Sequence, residues 1–181
     1  MKKKMIITII GIILIGLCII GWFVNKQKKE VVEEYVPQEE ISEQQLRETM
    51  VSLYYQNKET KELIPEGRLI DAKMLLKNPY ELLINLLIGN PKNENLETVI
   101  PKDTKIHKAE IKGDIVILDF SKEFIDNHEG GEEAEKKTIQ SIVNTLTELT
   151  EVNGVKILIE GKENQTFLDH KVSFEKVFKK E

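Results

Sequence analysis

The chain has 181 residues, is 40% hydrophobic and 31% charged, and carries a formal net charge of -5. The charge is uneven: residues 1–29 hold six lysines and no acid, while residues 30–181 carry 20 basic against 31 acidic side chains. So acidic a remainder has no electrostatic footprint for nucleic acid, and the single cysteine, Cys18, excludes an intrachain disulfide.

From Met5 to Val24 the sequence runs for 20 residues without a charge and is rich in isoleucine. As a helix rising 1.5 Å per residue, such a run spans about 30 Å, the thickness of a bilayer core. Trp22 suits the interfacial aromatic belt. A cleaved signal peptide has a shorter apolar region ending in small residues, which Phe23-Val24-Asn25 does not supply. A lipoprotein signal is the second rival, with Cys18 after Ile15-Gly16-Leu17, but Leu17 stands where a small residue is usual. The expectation is an uncleaved single-pass anchor. Residues 1–4 form a cytoplasmic basic tail and the remainder lies outside the membrane, since no second span follows.

Residues 25–47 read as an extracytoplasmic linker, with mixed charges, Pro37 and a polar run around Glu39-Glu40-Ile41-Ser42-Glu43. Residues 48–181 read as the folded domain. Residues 50–55 are β-branched and aromatic and predict a strand. Residues 63–70 predict a second strand that Pro65 demotes to an edge or bulge. Asn78-Pro79 is a helix start, cap followed by Pro at the first helical position. That helix covers 79–88, with Leu82, Leu83, Leu86 and Leu87 on adjacent turns and Gly89 as a left-handed stop. Residues 92–98 read as loop and 105–112 as a strand. Gly113-Asp114 is a two-residue hairpin link. It delivers a strand over Ile115, Val116, Ile117 and Leu118, apolar on both faces as in a strand buried between layers. Asp119 ends this run, Phe120 follows, and Ser121 offers an oxygen to cap a turn over residues 122–124.

Residues 132–149 predict a second helix, with Ile139, Ile142, Val143, Leu146 and Leu149 at core spacing and Asn153-Gly154 closing it. Residues 155–160 predict a strand, and 171–178 a short terminal strand or irregular cover. The order is β-β-α-β-β-α-β, an α+β domain of two helices packed on a mixed sheet.

Four stretches together resemble the successive motifs of the GerMN domain family. They are Ile100-Pro101-Lys102-Asp103-Thr104-Lys105, then Asp119-Phe120-Ser121-Lys122-Glu123-Phe124, then Val143-Asn144-Thr145-Leu146-Thr147-Glu148, then Ile159-Glu160-Gly161-Lys162. Leu86-Leu87-Ile88-Gly89-Asn90-Pro91 is similar to the family's helix end, with one extra residue before the proline. The resemblance spans about residues 51–178. It implies an envelope protein of spore-forming and related bacteria, held outside the membrane by a lipid or a helix, with a non-catalytic domain. It also implies an α-β-β-α-β core similar to ring-building modules of envelope secretion machines, and hence a role in assembly. The residues it singles out are Pro101, Asp119, Phe120, Ser121, Phe124, Asn144, Thr145, Leu146, Glu160 and Gly161.

Read as chemistry, Asp119, Glu123, Glu148 and Glu160 are the acids from which a glycosidase pair would be drawn, since that reaction needs two carboxylates facing each other across a cleft. The simpler reading of Asp119 is a hydrogen-bond acceptor at a strand end. His107, His128 and His170 are scattered and show no metal-ligand spacing. Ser121 and Ser141 lack a Gly-x-Ser-x-Gly setting, and Gly130-Gly131 is not followed by Lys-Ser/Thr as in a phosphate loop. Asn144 and Thr145 interrupt the apolar stripe, either bonding nearby backbone or reaching a partner domain. The expectation is a non-enzymatic domain without cofactor or metal that binds or scaffolds envelope proteins, with oligomerisation open. The alternative is a domain that binds or hydrolyses cell-wall glycan with acids near Asp119.

Overall fold

In a computed structural model the chain divides into two compact units, residues 1–40 and 41–181, and the structure describes residues 19, 20, 22, 47–168 and 170–180. In the first unit the described residues Ile19, Ile20 and Trp22 are helical and exposed. The expected span from Met5 to Val24 and the linker therefore lie almost wholly outside the described residues. Among those described, no helix is long and apolar enough to cross a membrane.

The second unit is the folded domain. Its elements run β1 (Glu48–Asn57), β2 (Leu63–Asp71), α1 (Ala72–Leu75), α2 (Pro79–Ile88), β3 (Leu96–Glu97), β4 (Ile106–Lys112), β5 (Ile115–Phe120), α3 (Glu123–Asp126), α4 (Glu132–Leu146) and β6 (Gly154–Ile159). It is α+β, as the pattern predicts. The single mixed sheet with two helices is replaced by two three-stranded sheets with four helices. One sheet has the order β2-β1-β3 and is antiparallel throughout; the other has the order β4-β5-β6, with β4 antiparallel and β6 parallel to β5.

The reason for the split lies on the open edge of β1. Beyond its two-residue pairing with β3, β1 meets not a strand but helix α4. The Tyr54 N–H is accepted by Thr145 Oγ1 at 3.0 Å, and the Tyr54 carbonyl accepts from the Ser141 hydroxyl at 2.6 Å. Buried backbone groups must find partners, and here hydroxyls one helical turn apart stand in for the missing strand.

Pro65 does lie in an edge strand, β2, opposite Tyr54. Helix α2 starts as predicted: Asn78 is the N-cap, its side chain accepts from the Glu81 N–H at 3.2 Å, and Pro79 follows. Its buried face is Leu83, Ile84 and Leu87, with Leu82 and Leu86 half-buried. Gly89 does not adopt a left-handed stop. Its φ is -67° and its ψ 169°, so the chain leaves the helix extended toward Pro91.

Helix α4 buries Ile139, Ile142, Val143 and Leu146, and Leu149 packs half-buried against the core. It stops at Leu146 rather than 149. The Thr147 hydroxyl donates to the Val143 carbonyl at 2.8 Å and the Thr147 N–H to the same oxygen at 2.9 Å, and turns at Leu149 and Val152 follow.

The hairpin at Gly113-Asp114 forms with Gly113 at φ 64°. Strand β5 is not equally buried on both faces. Val116, Leu118 and Phe120 are inaccessible, while Ile115, Ile117 and Asp119 are half-buried. The cause is the register: Ile117 sits between Glu110 of β4 and Lys156 of β6, so its face carries charges and meets water. Residues 171–178 form irregular cover rather than a strand. This C-terminal strap is tied down by Glu135 Oε2 accepting from the Val172 N–H, by Lys156 Nζ donating to the Phe174 and Glu175 carbonyls, and by reciprocal backbone bonds between Val155 and Phe178.

Candidate functional site

The residues singled out in the sequence fall in two places. The first is the corner where β5 leaves its sheet. Strands β5 and β6 run parallel, so their C-terminal ends lie side by side and Asp119 comes opposite Leu158. Just past β6, Glu160 (φ 51°) and Gly161 (φ 71°) both turn left-handed. That turn brings the Gly161 N–H to Asp119 Oδ1 at 2.8 Å and the Glu160 carboxylate to the Lys122 N–H at 3.0 Å. His107 Nε2 lies 3.3 Å from the same Glu160 oxygen. The His107 hydrogen bond, followed by the Lys122 N–H, holds Glu160 below the ordinary glutamate range.

Ser121, almost fully buried, does not cap helix α3. Its oxygen accepts the Lys105 N–H at 3.0 Å, its own N–H donates to the Lys105 carbonyl at 2.9 Å, and it hydrogen-bonds the Glu123 carboxylate, which is held low as a result. The first residues of α3 therefore have no side-chain cap, and Ser121 instead clamps the segment before β4 to the end of β5. Pro101 is buried in that segment, its carbonyl accepting from the Thr104 hydroxyl at 2.7 Å. Phe120 and Phe124 stack at 4.5 Å and 9° between rings, and Phe167 and Phe174 pack around Phe124 at 5.5 and 6.1 Å. The corner is a closed aromatic cluster below and a set of turn-closing hydrogen bonds above.

This geometry bears on the acids weighed for glycan chemistry. Asp119, Glu123 and Glu160 meet at the corner, but Glu148 does not; it accepts from Tyr54 Oη at 3.0 Å and pairs with Lys180 at 2.9 Å. Glu123, Glu148 and Glu160 are all held low by donors. A general acid needs the opposite shift, a carboxyl kept protonated by apolar surroundings. Among the described residues, no three His, Cys, Asp or Glu side chains are grouped to hold a metal ion.

The second place is helix α4, where three consecutive motif residues face three ways. Leu146 is in the core, Thr145 is buried against Tyr54, and Asn144 is half-buried at the wall of an open groove of about 930 Å³ between α4, the start of β2 and the C-terminal strap. Thr145 thus bonds backbone 91 residues away rather than its own neighbours.

Three polar features escape the sequence reading. Tyr54 as the partner of Ser141 and Thr145 is one. Buried Glu135 holding the strap is another. The third is Arg68–Glu66, an ion pair at 2.7 Å with side chains only 11% and 9% exposed. The one signal available for the first is that Ser141 and Thr145 stand i and i+4 on the apolar face of α4, beside Ile142 and Leu146.

The class these features define is an α+β domain in which α2, β4, β5, α4 and β6 follow in order around one core. A family model described as Germane, sporulation and spore germination, matches residues 52–165. The chain belongs to this family, and its domain is a GerMN domain. Solved structures agree in fold. The tandem GerMN domains of the sporulation protein GerM from Bacillus subtilis are 24% identical with a TM-score of 0.62, over 75% of this chain and 47% of that one. The first GerMN domain of the same protein is 22% identical with a TM-score of 0.61, over 72% of this chain and 97% of that one. This chain therefore spans about half the length of the tandem-domain structure. No curated protein matches it significantly.

Proposed function

We propose that this protein is a membrane-anchored, extracytoplasmic GerMN domain that binds and scaffolds other cell-envelope proteins in sporulation or germination, without a catalytic step of its own. The family to which it belongs supports the setting. The 20-residue uncharged stretch from Met5 to Val24 supports the anchor, and the lysines at both of its ends, Lys2, Lys3 and Lys4 before it and Lys26, Lys28 and Lys29 after it, suit the two membrane surfaces that a single pass would meet.

The observation that carries the reading is the use made of the acidic corner. Asp119 closes the Gly161 turn, Glu160 holds the Lys122 N–H and Glu123 takes the Ser121 hydroxyl. Each acid is engaged in architecture and leaves the surfaces to carry function. The test is site-specific crosslinking of the full-length chain in sporulating and germinating cells, with recovery of the crosslinked species. Envelope proteins trapped at defined positions of residues 48–181 are the expected result. Recovery of none, or release of peptidoglycan fragments by the purified chain that Asp119→Asn abolishes, overturns it.

A further inference from the structure

We propose that the groove between helix α4 and the C-terminal strap is the docking site for an extended acidic segment of a partner protein, with Asn144 reading the peptide backbone and Lys171, Lys176 and Lys179 its carboxylates. The inference deepens the scaffolding reading above and rests on it.

Asn144 supplies the first observation. Asn144 stands in the last turn of α4, two residues before the helix ends at Leu146, and its side chain is without structural employment. Thr145 serves Tyr54 and Leu146 serves the core, but the Asn144 amide makes no hydrogen bond among the described residues. It is half-buried in the groove wall. A carboxamide offers an acceptor and a donor side by side, the pair that matches a peptide N–H and C=O.

Charge supplies the second. Residues 48–181 hold 19 basic and 25 acidic side chains, yet this groove reverses the balance with six lysines against Glu62, Glu133 and Glu175. Lys61, Lys136 and Lys137 are matched by Glu97, Glu132 and Glu133. Lys171, Lys176 and Lys179, all on the exposed strap, make no ion pair among the described residues. Unmatched cations around a concave site attract an anionic partner and speed its arrival.

The lining also selects the kind of anion. Leu63, Val172 and Phe178 add half-buried apolar surface, and the three glutamates interrupt the lysines. An unbroken polyanion would set charge against those glutamates and leave the apolar surface unused. An extended peptide presents carboxylates and apolar side chains by turns and meets both.

The test pans random dodecapeptides displayed on phage against the full-length chain in detergent, then measures the enriched sequence as a fluorescent synthetic peptide. Enriched sequences are expected to carry Asp or Glu interspersed with apolar residues, and to bind more weakly as salt rises. Asn144→Ala, which favours the helix, is expected to weaken binding by about tenfold, the equivalent of a lost hydrogen bond. The double variant Lys176→Glu, Lys179→Glu is expected to abolish it. Enrichment of neutral or basic peptides, or binding indifferent to these variants, overturns the proposal. Poly(glycerol phosphate) that binds the wild-type chain more tightly than the peptide also overturns it, in favour of an anionic polymer. Envelope crosslinks that persist unchanged in the double variant sink the groove while leaving the scaffolding reading intact.

Discussion

The hydroxyl of Thr145 accepts the backbone N–H of Tyr54 at 3.0 Å, across 91 residues of sequence. With Ser141 one turn earlier on the Tyr54 carbonyl, it lets a helix terminate a sheet. Both side chains are fully buried, so neither bond can be exchanged for water.

Thr145→Val keeps the shape and removes the acceptor. It leaves a buried N–H without a partner, at a cost of about 1–3 kcal/mol. Thr145→Ser, which keeps the oxygen, is expected to recover most of that loss. Ser141→Ala in the valine background should cost less than it does alone, because both bonds hold the same residue, Tyr54, against the same helix. Urea unfolding of wild type and the four variants measures this, and an unchanged midpoint for Thr145→Val would remove the edge-capping argument.

What the sequence makes legible is local. The Asn78-Pro79 start, the α4 stripe, the Gly113-Asp114 hairpin and the edge position implied by Pro65 each depend on residues a few places apart. The two-sheet arrangement is not legible, because it depends on where Tyr54 finds partners 87 and 91 residues away. Ser121 looks like a cap by its neighbours but serves Lys105, 16 residues back. Arg68 and Glu66 look like the wet face of an edge strand. They are half-buried because the chain after α2 returns over them, its Lys92 and Asn93 N–H groups donating to Glu66. The acidic corner was legible as a set of residues through the family resemblance, but its hydrogen bonds were not, since Asp119 and Gly161 meet only through the parallel pairing of β5 with β6.

The half-buried Arg68–Glu66 pair sets a pH dependence. Burial raises the Glu66 carboxyl, but the Arg68 hydrogen bond and the Asn93 and Lys92 N–H groups outweigh it and the result lies below the ordinary range. A carboxylate lowered in the folded state contributes stability that is full above its unfolded value, about 4.3, and is lost as pH falls through the folded value. Glu66→Gln is therefore expected to be less stable than wild type at pH 7, with the gap closing below about pH 4. Denaturant midpoints across pH 3–7 check it; a gap that stays constant or widens in acid shows that Glu66 is not the group responsible.

Gly154 is the point where the strap meets the sheet. A Cβ there would lie 2.8 Å from Val177 Cγ1 and 2.9 Å from the Phe178 carbonyl oxygen, the same oxygen that accepts the Val155 N–H. Gly154→Ala must displace the strap from the edge of β6, with an overpacking cost of about 1–3 kcal/mol. The C-terminal residues are expected to be cleaved faster by added protease than in wild type, while the rest of the domain stays protected. Equal cleavage rates would mean that the strap absorbs the methyl in place.

Asp119 and Gly161 separate the architectural reading of the corner from a chemical one. Gly161 N–H donates to Asp119 Oδ1 at 2.8 Å from an exposed position, so water replaces the carboxylate readily. Asp119→Ala should cost only about 0.5–1.5 kcal/mol, and Asp119→Asn, which keeps an acceptor oxygen, should cost less. Gly161 has the larger role. At φ 71° it occupies the left-handed region, and Gly161→Ala is expected to cost about 1–2 kcal/mol through backbone strain alone. The methyl itself has room, since the nearest atom to it is Asp119 Oδ2 at 3.9 Å. The ranking Gly161→Ala at least as damaging as Asp119→Ala, and both more damaging than Asp119→Asn, follows if the corner is a turn. Thermal unfolding gives the order. A stable Asp119→Asn protein that loses crosslinking or any wall-directed activity would instead make the carboxylate charge itself functional.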